Sequence, residues 1–217
     1  MSRGVVVSLC DLTGTFTAPW VEAGYEAVLV DPQHGLSTSD GWVTKLAMTV
    51  EEALPHLSRL VTTGRVVMVA GFPPCTELAR SGARWWPGKH QVDPLFQAKA
   101  VAVAEQCRTF GQTAGTPWLV ENPSGALSQI FGKPDHTFHP WWFTGLEPAD
   151  NYTKLTCLWT GGGFRMPPRH VDRTLGAPDN RIHAASPGPQ RANFRSATPM
   201  GFARAVFAAN TRSEAAA

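Results

Sequence analysis

The feature that most constrains this chain is a series of short apolar runs, each closing abruptly on a polar or conformationally special residue. Val5–Leu9 runs into Cys10-Asp11 and the turn-forming Thr13-Gly14, and Ala27–Val30 runs into Asp31-Pro32. Arg65–Ala70 meets Gly71-Phe72-Pro73-Pro74-Cys75, where two prolines forbid further ladder pairing, and Pro117–Val120 meets Glu121-Asn122-Pro123. Such β-branched runs without alternation read as strands buried on both faces. Between them, residues 16–24, 51–62 and 95–110 repeat apolar positions at helical spacing, the first stopping at Gly24. Strand–turn–helix–strand units of this kind predict an α/β fold with a mostly parallel sheet flanked by helices. Ligands of open α/β sheets bind outside the carboxyl ends of the strands. Asp11, Asp31, Cys75 and Glu121 are therefore expected to converge on one rim.

Beyond Pro123 the chain becomes rich in Gly, Pro and aromatics, with one more strand expected at Thr156–Trp159, a long loop over 161–192, a helix over 199–210 and a frayed tail from 211. A chain of 217 residues suits a single domain, 1–217, with a sizeable core. Apolar residues at 43% and charged residues at 17% exclude a disordered chain. No apolar run approaches the ~18 residues of a membrane helix, and no signal peptide is expected at the N-terminus. The cysteines Cys10, Cys75, Cys107 and Cys157 are widely spaced with no CxxC pair, which predicts no metal site and reduced thiols in a cytoplasmic setting. Charge is uneven: residues 1–153 carry 10 Lys/Arg against 14 Asp/Glu, while 154–217 carry 9 against 3. A basic third of this kind suits either a phosphate backbone or a solvated, arginine-rich loop.

Individual residues suggest chemistry. Asp11-Leu12-Thr13-Gly14-Thr15 between a strand and a helix can turn backbone N–H groups toward the charged end of a ligand. Asp31 at the next strand end can accept from two ribose hydroxyls. Cys75, held by two prolines, is a candidate nucleophile, and Arg80 and Arg84 nearby are candidates to stabilise its thiolate. Cys10, Cys107 and Cys157 lie inside apolar runs and read as core residues. Glu121 on the same rim can hydrogen-bond a heterocycle into which thiolate attack drives negative charge.

Asp11 through Thr15, Gly71 through Thr76 and Glu121-Asn122-Pro123, in this order and spacing, resemble the cofactor loop, nucleophile loop and base-contact motif of the DNA cytosine-5 methyltransferase family. The likeness is to short phage-type members, and extends to Ser81 through Trp85, Lys133-Pro134-Asp135, Lys154 through Trp159, Arg181-Ile182-His183 and Arg195 through Ala203. The resemblance implies a class I S-adenosylmethionine-dependent methyltransferase fold, Rossmann-like, with S-adenosyl-L-methionine as cofactor. It implies that Asp11, Leu12, Thr13, Gly14, Thr15, Phe16, Asp31, Pro32, Pro73 and Thr198 surround that cofactor, Phe16 standing where the family loop usually has a second glycine. Asp40 and Glu51 are the nearest acidic residues for an adenine contact. It further implies that Cys75 attacks carbon 6 of cytosine, that Glu121 holds ring nitrogen 3 and the exocyclic amine, and that Lys154 and Thr156 contact the flipped base.

The chain has no room for a large target-recognition domain. The loop over 160–195 is expected to replace it, with Arg165, Arg169, Arg173 and Arg181, together with Arg80 and Arg84, touching double-stranded DNA at a very short site. Trp85, Trp86, Trp141 and Trp142 can stack on bases or pack in the core. The expected protein is a monomer in the cytoplasm of a bacterial or phage-infected cell, with no membrane and no metal partner. Two other readings stay open: a methyltransferase acting on free cytosine nucleotide or RNA, and a catalytically inactive nucleic-acid-binding homologue. A thiol enzyme pairing Cys75 with His90 or His139 is a third.

Overall fold

The four leading apolar runs become neighbouring parallel strands. A computed structural model describes residues 2–184, 186, 188 and 191–211, apart from the side chains of His183 and Ala192; most of the expected tail, 212–217, lies outside the described residues. In chain order the elements are β1 (Val5–Leu9), α1 (Ala18–Glu22), β2 (Glu26–Val30), β3 (Thr38–Asp40), β4 (Val43–Leu46), α2 (Val50–Thr62), β5 (Val66–Gly71), α3 (Trp86–Val92) and α4 (Phe96–Ala114). There follow β6 (Trp118–Pro123), α5 (Leu127–Ile130), β7 (His136–Phe138), β8 (Thr156–Gly161), α6 (Arg181–Ala184), α7 (Arg191–Ser196) and α8 (Met200–Asn210).

Among the described residues the strands form one sheet in the order β3-β4-β2-β1-β5-β6-β8-β7. The stretch from β4 to β6 is parallel, whereas β3, β7 and β8 each pair antiparallel with a neighbour. The protein is thus an α/β chain with a mixed, mostly parallel sheet covered by helices, compatible with a Rossmann-like arrangement. Each face carries its own core. Val5, Val7 and Leu9 of β1 pack with α2 (Val50, Ala53, Leu57) and α4 (Cys107, Phe110). Val6 points the other way, into a cluster with Phe16, Trp20 of α1 and Phe202 and Val206 of α8. Burial on both faces is why β1 reads as an unbroken apolar run.

Local signals set the helix ends. Thr49 and Glu52 form a reciprocal capping box at the start of α2. Gly115 closes α4 in the left-handed conformation, at φ 65°.

The structure differs from the sequence reading at several elements, among them the short helices α3 and α5, which have no counterpart in it. β3, β4 and β7 have no counterpart in that reading, because β3 is fully exposed and none of the three carries an apolar run. Helices α6 and α7 fall within or across the end of the expected loop 161–192. β6 continues past Val120 through Pro123, since Glu121, Asn122 and Pro123 pair with Leu158, Cys157 and Thr156 of the antiparallel β8. Glu121 therefore sits inside a strand instead of on a turn.

Candidate active site

The site forms at the carboxyl ends of β1, β2, β5 and β6. At the end of β1, Cys10 adopts φ 56°. It is half-buried, so of the three cysteines expected in the core only Cys107 and Cys157 are fully buried. The carboxylate of Asp11 then folds the loop upon itself. It accepts from Ser8 Oγ at 2.7 Å, Gly14 N at 2.8 Å, Thr13 N at 3.0 Å and Thr13 Oγ1 at 3.1 Å. Asp11 thus serves as an internal template, and with Thr15 N donating to Thr13 Oγ1 at 3.2 Å the N–H groups of Thr13, Gly14 and Thr15 are spent inside the loop and not turned toward a ligand as the sequence suggests. Gly14, at φ 71°, sits where a Cβ would lie 2.9 Å from Leu29 Cδ1. Phe16 is fully buried against Trp20 and Phe72, at ring separations of 5.0 and 5.5 Å, so it is the floor beneath the loop and not an exposed contact. Asp31 accepts from Gln33 N at 2.8 Å through one oxygen, starting the short turn Pro32–His34. Asp40 lies on the exposed strand β3 and Glu51 in the exposed first turn of α2.

The second half of the rim holds the candidate nucleophile. Gly71 of β5 pairs with Val120 of β6, which makes the residues that follow each strand neighbours. Gly71 is required there, because a Cβ would meet Cys107 Cβ at 2.6 Å. Asn122, fully buried, donates from Nδ2 to the carbonyl of Pro73 at 3.0 Å. This bond ties the Pro-Pro-Cys turn to the Glu-Asn-Pro strand across 49 residues of chain. A strand-internal amide followed by proline was its only mark in the sequence, and its positioning role was not foreseen.

Glu121 and Lys154 face one another at 3.9 Å, with side chains only 12% and 11% exposed. Burial raises the pKa of Glu121 and Lys154 pulls it back, so the carboxyl has a strengthened tendency to hold a proton. Burial also raises the Cys75 thiol, and the charge of Glu121 raises it further. Lys154 and Arg195 act in the opposite direction. Among the cations, these two bear most on the thiol. Arg195 entered the sequence reading only within the tail motif. Thr156 is buried and its hydroxyl donates to the carbonyl of Lys154 at 3.2 Å, so it supports Lys154 from behind. His90 and His139 do not figure among the groups that act on Cys75.

Glu121, Lys154 and Thr198 line a narrow cleft with Phe72, Phe138, Pro199 and Phe202, with no room for a water molecule. Two acceptor atoms in this region, Glu121 Oε1 and Asn122 Oδ1, are buried without a donor among the described residues. Buried acceptors in that condition are costly, and suit a ligand that brings N–H groups.

The expected DNA-contacting arginines separate widely. β8 runs antiparallel to β6, with Gly161 opposite Trp118 at the amino end of that strand. Arg165 follows that end and its backbone N–H donates to Asn210 at 2.8 Å, which puts it at the edge of the sheet away from Cys75. Arg169 stacks on Trp142, its guanidinium carbon 3.4 Å from the ring centre. Arg181 grips Asp179 through Nε and an Nη and lies over Tyr152. Of the four, Arg165 and Arg173 are exposed without a bond from the side chain among the described residues.

Among the described residues no group of acidic, cysteine or histidine side chains is arranged to hold a metal, and no helix is long and apolar enough to cross a membrane. No protein-family model matches the chain, and no curated protein is significantly similar to it.

Proposed function

We propose that the protein is a class I methyltransferase that transfers a methyl group from S-adenosylmethionine to carbon 5 of cytosine in DNA. The observation that carries this reading is the cluster of Cys75, Glu121 and Lys154, in which the buried Glu121 Oε1 has no hydrogen bond among the described residues and faces Lys154 at 3.9 Å. Cytosine offers an exocyclic amine to such an acceptor, and its ring nitrogen 3 accepts from a protonated Glu121.

The cofactor-side residues fit the group that the reading requires. The Leu12–Thr15 loop stands at the end of β1 beside Asp31, and Asp31 keeps one oxygen for a hydroxyl pair. Thr198 lines the cleft between the two halves of the rim. S-adenosylmethionine supplies an electrophilic methyl when bound.

This chain's residues do the remainder. Cys75 gives its proton to water and bonds to carbon 6, with Lys154 and Arg195 stabilising the thiolate form. Glu121 donates to nitrogen 3 as charge enters the ring, which makes carbon 5 nucleophilic. Asn122 keeps the nucleophile turn in place through Pro73. Once carbon 5 carries the methyl group, its proton passes to water. The carbon 5–carbon 6 double bond reforms as the carbon 6–sulfur bond breaks, and Cys75 leaves as thiolate. Nitrogen 3 keeps no proton that Glu121 lent it. Burial keeps Cys75 protonated in the unliganded protein, and only Lys154 and Arg195 draw its thiol toward the thiolate that the reaction requires.

The test is transfer of radiolabelled methyl from S-adenosylmethionine to cytosine-containing duplex DNA, with Cys75→Ala in parallel. The expected result is 5-methylcytosine in the wild type and none in the variant. Label retained in Cys75→Ala would sink the covalent route. Label confined to free nucleotide or RNA would move the substrate, and no transfer with intact nucleic-acid binding would leave a binding protein.

A further inference from the structure

We infer that Cys10 and Cys107 are a redox pair, which hydrogen peroxide joins in a disulfide that loosens the Asp11 loop at the head of the site. Neither thiol has a part in the methylation chemistry, so the pair stands whether or not that reading holds.

The backbone brings the two together. Along β1, Val5, Val7 and Leu9 face α4, while Val6 faces the opposite core. Strict alternation sends the next side chain, that of Cys10, to the Val6 side. Cys10 instead adopts φ 56°, and no other non-glycine among the described residues has a positive φ. That turn keeps Cys10 on the α4 face, packed against the cluster that contains Cys107. Leu9 is in register with Gly71, and a Cβ on Gly71 would lie 3.1 Å from Cys107 Sγ. The Cys107 thiol hydrogen-bonds the Cys10 sulfur. A positive φ is strained for a residue with a Cβ, and here it delivers one thiol to another. Cys75 and Cys157 are placed differently, since no cysteine figures among the groups acting on either.

The two sulfurs differ in access. Cys107 is 1% exposed within the 19-residue helix α4, and its bond to Cys10 together with burial raises its pKa well above the usual thiol range. Cys10 is half-buried at the rim, so it meets the oxidant first. Hydrogen peroxide gives one oxygen to the Cys10 sulfur, forming a sulfenic acid and releasing water. The Cys107 sulfur then displaces the hydroxyl, which leaves as a second water with the Cys107 proton. Two electrons and two thiol protons thus pass to the peroxide. The new bond holds the sulfurs about 2 Å apart. Cys107 is fixed in the core, so the movement falls on Cys10. Phe72 N donates to Leu9 O at 2.9 Å on one side of it, and Asp11 N to Val30 O at 3.2 Å on the other. The longer bond is the one that yields, and it leads directly to the carboxylate that holds Thr13 and Gly14.

The experiment treats the full chain with hydrogen peroxide, blocks remaining thiols with N-ethylmaleimide and maps peptides without reduction by mass spectrometry. Wild type should show a Cys10–Cys107 disulfide that dithiothreitol reverses. Cys107→Ala lacks the second thiol, so dimedone should trap Cys10 as its sulfenic acid. Amide hydrogen exchange over residues 11–15 should quicken about tenfold on oxidation of the wild type and return on reduction. A free Cys10 thiol after peroxide, or its bridge to a cysteine other than Cys107, overturns the pair. A bridge that leaves exchange over 11–15 unchanged overturns the loosening of the loop. None of these readouts involves methyl transfer, so failure here is distinct from failure of the methylation reading.

Discussion

Residues 71–97 and 160–195 both carry exposed arginines, yet they are tied to different parts of the fold. The first is pinned to the strand-end turns, from Asn122 to Pro73 and Arg80 to Ser124, with Gln97 bonded to Glu77. The second is also pinned by distant bonds, but to the segment 142–153: His170 N donates to Trp142 O, Asp172 N to Thr144 Oγ1 and Thr153 N to Asp179 O. Within it Arg169 lies on Trp142 and Arg181 grips Asp179, whereas Arg165 and Arg173 are exposed with no side-chain bond among the described residues. Long-range bonds between sheet-end turns fix side chains relative to one another, which a reacting site needs. High arginine content therefore marks where cations are, not where they meet the rim.

Four substitutions would break or sharpen that contrast. Gly125→Ala should be the most damaging, because a Cβ would lie 1.9 Å from Leu78 O and neither backbone can yield without parting the two turns. A loss of about 3 kcal/mol or more in urea unfolding is expected, and full stability would show that the turns are not tightly coupled. Asn122→Ala comes next. It leaves the Pro73 carbonyl without its donor and opens a small cavity, for a cost of about 2 kcal/mol. Methyl transfer should fall further than stability alone explains, and unchanged turnover would remove Asn122 as a positioning residue.

The third substitution bears on pH. Asp150 is buried and accepts from Gly201 N at 2.7 Å, at the start of the helix whose first turn lines the cleft. Burial, opposed by the Gly201 bond and assisted by Glu147, raises its pKa from 3.8 to about 6, while Arg181 and Arg204 pull it down. A carboxyl raised on folding stabilises the native state fully below its unfolded pKa, and that contribution is lost as pH rises through about 6. Asp150→Asn should therefore stabilise the protein at pH 8 by about 1–2 kcal/mol after allowance for screening, seen as a higher melting temperature, with little gain at pH 4. An equal effect at both pH values would dissociate the change from ionisation. Arg181→Ala should matter least. Its pair with Asp179 is nearly half exposed, so a stability change below about 1 kcal/mol is expected by thermal melting. A larger loss would show that the basic stretch is structurally coupled to the rim.

The parts of the site legible in the sequence are those written in local order. Strand ends at Asp11, Asp31 and Cys75 are visible because a buried parallel strand must stop where polar residues or proline begin. Lys154 and Glu121 were singled out by motif likeness, but their approach to 3.9 Å depends on β8 returning antiparallel beside β6. Arg195 was missed as a partner of Cys75 because nothing in the chain around residue 195 shows that the segment folds back over the nucleophile. Phe16 was misplaced for a similar reason: its neighbours Trp20 and Phe72 come from two elements, and together they draw it into the core.

The α/β periodicity, the strand ends that carry reactive side chains and the uneven placement of charge are all readable from local residue order. Tertiary structure alone decided which arginines are free, that Asn122 holds Pro73, and that β8 carries Lys154 to the rim while taking Arg165 to the opposite edge. The physical reason is range. Strand and helix signals act over a few residues, whereas a hydrogen bond or ion pair between turns exists only once the sheet order has brought those turns together.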